Sequence, residues 1–77
     1  MLINVRVSNF GKSRLDKDEQ VQLAIKKASD ELGDDGRVLV RVSGTEPLVR
    51  VMLEGKDYDK IKYLAECIAS VVEERLV

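Results

Sequence analysis

From Leu2 to Ser8 apolar and polar residues alternate, with Ile3, Val5 and Val7 on one side and Leu2, Asn4 and Arg6 on the other. This is the pattern of a strand with one buried face. Residues 9 to 15 (NFGKSRL) read as a polar, glycine-containing connection. Asp16 with Glu19 three residues later fits a capping box, and Val21, Ala24, Ile25, Ala28 and Leu32 follow at helical spacing, predicting a helix that ends near Gly33. Asp34, Asp35 and Gly36 form a turn before two valine-rich alternating segments, 37 to 42 and 48 to 54, which the SGTEP segment joins into a hairpin. Asp57 is placed to cap a last helix whose apolar stripe is Tyr58, Ile61, Leu64, Ala65, Ile68, Val72 and Leu76. The order β-α-β-β-α predicts an α+β fold, a two-layer sandwich with a mainly antiparallel sheet and two helices on one face.

The hairpin divides its side chains sharply. Val38, Val40 and Val42 share a face with Val49, Val51 and Leu53, the set expected beneath the helices. The other face carries Arg37, Leu39, Arg41, Leu48, Arg50, Met52 and Glu54. If Val42 pairs with Val49, antiparallel register sets Arg41 opposite Arg50, Leu39 opposite Met52 and Arg37 opposite Glu54. Like charges meeting across a ladder are unfavourable by up to roughly 1 kcal/mol. An anion held between them reverses the sign. Ser43 and Thr45 add hydroxyls, and Gly44 is free to take a positive φ that turns successive N–H groups toward one point. Pro47 fixes its own φ and pushes Glu46 toward an extended conformation. Guanidinium forks match phosphate oxygens in bidentate geometry, so Arg41, Ser43, Gly44, Thr45 and Arg50 form a candidate phosphate cradle. The same residues also suit a plain hairpin, since Ser, Gly, Thr and Pro are ordinary turn formers and arginines commonly guard an exposed sheet. Leu39, Leu48 and Met52 among the arginines suggest that this face packs against something else, or that a loop covers them.

Composition narrows the classes. At 77 residues, 44% hydrophobic and 35% charged, the chain is expected to form one small domain, residues 1 to 77, with a modest core. It has the look of a sequence cut to domain boundaries. No stretch resembles a signal peptide or a bilayer span, so the expected compartment is the cytoplasm and no membrane partner is expected. One cysteine and no histidine exclude an internal disulfide and a zinc ligand set. A net charge of −1 argues against non-specific nucleic-acid binding, which requires a basic field. Gly11-Lys12-Ser13 matches the end of a Walker A loop, but the first glycine of that motif would fall at Arg6, so the reading fails. Cys67, beside the apolar stripe, is read as a packing residue. Asp34 and Asp35 are read as turn residues, and Lys26-Lys27 and Glu73-Glu74 as solvated helix faces. Phe10 is expected to cover an edge of the core. Arg37 is expected to form a salt bridge with Glu54, and Arg6 is placed to extend the positive face.

The segment RVSGTEPLVRVMLEG, residues 41 to 55, closely resembles the phosphate-binding loop in the C-terminal (fourth) domain of the α-D-phosphohexomutases, in the SGTEP form of the phosphoglucosamine mutase branch. INVRV before a helix, DDGRVLVR leading into the loop and an amphipathic final helix are similar to the rest of that domain. The resemblance implies a magnesium-dependent four-domain enzyme that interconverts glucosamine 6-phosphate and glucosamine 1-phosphate through a bisphosphorylated intermediate. It also implies that the phosphoserine, the metal-binding aspartates and the sugar-contacting loop lie in preceding domains, so this chain holds no cofactor and is inactive alone. By position, Arg41, Ser43, Gly44, Thr45 and Arg50 would bind the phosphate that is not reacting, while the open sheet face meets the preceding domains. Val42 stands where many relatives of this branch have proline, and Glu46 is assigned to loop architecture. Two other readings stay open: the same domain of another hexose-phosphate mutase, and a stand-alone interaction module whose open sheet binds protein or RNA. RNA platforms stack bases on exposed aromatics, and the hairpin strands have none, with Tyr58 and Tyr63 falling in the last helix.

Overall fold

The computed structural model describes residues 1–77. Strand β1 (Leu2–Arg6) leads into a short helix α1 (Asn9–Arg14), then helix α2 (Glu19–Leu32), one 3-10 turn (Gly33–Asp35), strands β2 (Gly36–Val42) and β3 (Leu48–Gly55), and helix α3 (Tyr58–Leu76). The sheet order is β1-β3-β2 and both pairings are antiparallel, so β3 is the central strand. The α+β layout and the β-α-β-β-α order stand, with α1 added.

One layer of side chains joins sheet to helices. Val5, Val49, Val51 and Leu53 meet Val21, Ala28 and Leu32 of α2 and Ile61, Leu64, Ala65, Ile68, Val72 and Leu76 of α3 in one buried cluster, closed by Val7 and Leu15. Each fully buried aliphatic side chain contributes about 1.5–3 kcal/mol relative to exposure, so this layer is the main source of stability. Val38 and Val40 pack partly against it. Val42, expected beneath the helices, is 41% exposed because it lies at the loop end of β2. Tyr58 is likewise exposed at 64%, and the buried stripe of α3 begins at Ile61.

Four expectations are corrected by local hydrogen bonding and packing. Residues 9 to 14, read as connection, are helical because the Ser8 hydroxyl accepts the Gly11 N–H at 2.8 Å and caps the turn. Phe10 does not cover the core; it is exposed, with the Arg14 guanidinium 5.7 Å from its ring centre. The cap of α2 is Asp18 and not Asp16, since burying Leu15 brings Asp18 to the helix start, where its carboxylate accepts the N–H groups of Gln20 (3.0 Å) and Val21 (3.1 Å). Asp18 also accepts from Arg75 of α3 at 3.1 Å and Arg14 of α1 at 3.4 Å, so one buried carboxylate joins three helices. Arg37 and Glu54 do face each other in register, but they form no ion pair; the three ion pairs are Arg14–Asp18, Arg75–Asp18 and Lys26–Asp30.

Candidate functional site

Side-chain alternation on three paired strands fixes what the open face presents. Its rows, read across β1, β3 and β2 from the loop end, are Arg6 and Leu48; then Asn4, Arg50 and Arg41; then Leu2, Met52 and Leu39; then Glu54 and Arg37. A charged row and an apolar row thus lie side by side. Arg41 and Arg50 are direct partners, as the strand pattern predicts, and both are exposed. Neither forms an ion pair or a side-chain hydrogen bond within the chain. Leu2 (50%) and Leu39 (43%) remain substantially exposed, and no loop covers them.

The connection 43 to 47 is held by its own backbone. Ser43 N–H donates to the Leu48 carbonyl (2.9 Å) and Leu48 N–H to the Glu46 carbonyl (2.8 Å). The Ser43 hydroxyl is buried and accepts the Glu46 N–H at 3.3 Å, a side-chain turn that ties the two ends of the loop. Val7 N–H donates to the Pro47 carbonyl at 2.8 Å, anchoring the loop to the end of β1. The expected positive φ at Gly44 is absent; Gly33, which closes α2, has the one positive φ in the chain. The loop therefore turns through the Ser43 hydroxyl bond and not through a left-handed glycine. A Cβ built on Gly44 would meet nothing within 4 Å, so packing inside the chain does not require glycine there.

These bonds leave a consistent set of donors without partners. The N–H groups of Gly44 and Thr45 and the Thr45 hydroxyl make no hydrogen bond in the chain, and both residues are exposed. Arg41, Val42, Ser43, Gly44, Thr45, Arg50 and Met52 line one surface cavity of ≈ 410 Å³. All five candidate residues are in it, and no carboxylate is. Ser43 differs from the other four in being buried at 8% exposure and committed to the loop. Two guanidinium forks, two free amides and a hydroxyl surround a cavity without acids, a donor set whose chemistry suits a compact, multiply charged anion.

A second charged cavity, of ≈ 350 Å³, is lined by Asp34, Asp35, Arg37 and Glu54, where three carboxylates outnumber the one guanidinium and disfavour an anion. A groove of ≈ 330 Å³ between α2 and α3 lies in the helical layer and is largely apolar, with Leu23, Tyr63 and Cys67 on its walls. Cys67, expected to pack, is exposed there. The neighbouring Cys67 thiol pushes the Tyr63 phenol above its ordinary pKa. No group of three or more His, Cys, Asp or Glu side chains is arranged to hold a metal ion, and no helix is long and apolar enough to cross a membrane. No residue pattern signals which hairpin strand β1 joins; its pairing with β3 brings Asn4 beside Arg50.

Comparison with known proteins agrees with this architecture. Residues 2–71 match the family model described as phosphoglucomutase/phosphomannomutase, C-terminal domain. The phosphoglucosamine mutase of Caldicellulosiruptor bescii is 51% identical over 76 residues, covering 99% of this chain and 17% of that protein. That of Acetivibrio thermocellus is also 51% identical over the same shares, and that of Nitrosomonas eutropha 47% identical over 99% of this chain and 16% of its own length. This chain thus spans about one sixth of the curated relatives it matches. With the match running from the first strand into the last helix, the chain belongs to the phosphoglucomutase/phosphomannomutase C-terminal domain family.

Proposed function

We propose that this chain is the substrate-phosphate-binding domain of a phosphoglucosamine mutase, an isomerase that interconverts glucosamine 6-phosphate and glucosamine 1-phosphate. The observation that carries the reading is the unpaired Arg41–Arg50 couple beside the free Gly44 and Thr45 amides. A phosphate monoester placed there offers terminal oxygens to both guanidinium forks and both amides, converting a repulsive strand pair into a bridged one. The exposed Gly44 lets that anion approach the backbone without meeting a side chain. Ser43 acts through the loop, holding Glu46 so that Gly44 and Thr45 stay turned outward.

In this reading the domain performs no bond making. Gripping the phosphate that does not react supplies binding energy that orients the sugar for the one that does. The nucleophile and the magnesium ion belong to other parts of a longer, cytoplasmic protein, and this chain alone is inactive. The open face meets those parts, the apolar row Leu2, Met52 and Leu39 supplying the contact. That the curated relatives named above are phosphoglucosamine mutases favours glucosamine phosphates over other hexose phosphates.

The test is an amide-resolved NMR titration of the chain with inorganic phosphate and with glucosamine 6-phosphate. Perturbations should centre on Gly44 and Thr45, and Arg41→Ala or Arg50→Ala should weaken binding about tenfold or more while leaving the fold intact. Perturbations elsewhere, or binding that survives both substitutions, would refute the cradle.

A further inference from the structure

We infer that Asn4 and Arg6 of β1 form a second half of the site, which holds the hydroxylated body of a sugar phosphate while Arg41 and Arg50 hold its phosphate; this rests on the cradle proposed above. The observation is positional. Asn4 is the direct partner of Arg50 on the side opposite Arg41, so Asn4, Arg50 and Arg41 form one row across all three strands. Arg6 is one step along the same face, beside the loop, where Val7 N–H holds the Pro47 carbonyl at 2.8 Å. Both side chains are exposed and make no hydrogen bond or ion pair within the chain. Glu73 of α3, which shares the groove along the outer edge of β1 with Arg6, does not come within ion-pair distance.

Neither residue is what folding alone favours there. Asparagine is depleted in strands, and a row already containing two arginines would gain from a carboxylate at position 4 and lose from a third guanidinium nearby. Spacing decides what these groups can reach. Two strand separations place β1 about 10 Å from β2. A phosphate seated between Arg41, Arg50 and the loop amides already has donors for its oxygens, so Asn4 and Arg6 are left for whatever the phosphate carries across β3. Asparagine offers a donor and an acceptor, which suits a hydroxyl, and a guanidinium fork suits a pair of adjacent hydroxyl or ring oxygens. The ligand class is therefore a polyhydroxylated phosphate monoester, which this face tells apart from bare phosphate.

The experiment measures dissociation constants of the chain for inorganic phosphate and for glucosamine 6-phosphate in the unsubstituted protein, Asn4→Ala, Arg6→Ala and Arg6→Gln. Each substitution should weaken glucosamine 6-phosphate about three- to tenfold and leave inorganic phosphate within about twofold. Equal losses for both ligands would make Arg6 a general source of positive field, and unchanged affinity for both would leave β1 outside the site; either result overturns the inference while the cradle stands. Failure of the unsubstituted chain to bind inorganic phosphate overturns the cradle itself, and this inference with it.

Discussion

Arg41 and Arg50 are a cost to the folded chain unless something anionic lies between them. Stability and binding should therefore move in opposite directions at this pair. Arg41→Glu replaces repulsion with a cross-strand ion pair and should raise stability by about 0.2–1 kcal/mol. Urea unfolding would show this as a higher midpoint at unchanged slope, with phosphate perturbations of Gly44 and Thr45 abolished in the same protein. A lower midpoint would mean that the two guanidiniums do not repel in the free chain. This pair was legible in the sequence because strand alternation has a period of two, so one correct register places every side chain. The roles of Ser43 and Gly44 were less legible. Which hydroxyl closes a turn depends on the backbone path, and the 3.3 Å bond from Glu46 N–H to Ser43 oxygen removes the need for a left-handed glycine.

Among elements, α1 was hidden because a six-residue helix has too few positions to show an amphipathic period. It closes the end of α3: Ser8 N–H donates to the Leu76 carbonyl at 3.3 Å, the Ser8 hydroxyl donates to the same oxygen at 3.4 Å, and Gly11 packs directly against it. A Cβ on Gly11 would collide with that carbonyl oxygen, which is backbone and cannot swing away. Gly11→Ala should destabilise the chain by about 1–3 kcal/mol, visible as a lower Tm. An unchanged Tm would show that α1 can lift off α3 at little cost. The cap of α2 lies two residues beyond Asp16 for a related reason, since the sequence offers Asp16 and Asp18 and only tertiary contacts, the burial of Leu15 and the Arg75 and Arg14 pairs to Asp18, select between them.

For the molecule as a whole, Asp18 is the point through which α1, α2 and α3 are tied. Burial pushes its carboxyl up, but the Val21 N–H, the Arg75 guanidinium and the Gln20 N–H together outweigh burial and hold it below the ordinary value of 3.8. A depressed folded pKa gives stability that is present above 3.8 and lost as pH falls through the folded value. Acid unfolding monitored by circular dichroism should therefore be steeper in this chain than in Asp18→Asn, which keeps a cap but has no proton to take up. Parallel acid profiles would assign the sensitivity to other carboxylates. The two layers and the hairpin register were readable from local pattern, whereas the β1-β3-β2 order was not, because β1 and β3 are joined across some forty residues of chain. That order sets four arginines and one glutamate on a single exposed sheet face. The apolar row Leu2, Met52 and Leu39 by itself would invite two copies to stack sheet on sheet. Bringing two such faces together would crowd eight guanidiniums and only two carboxylates into one dry layer, so like charge opposes that stacking, most strongly at low ionic strength.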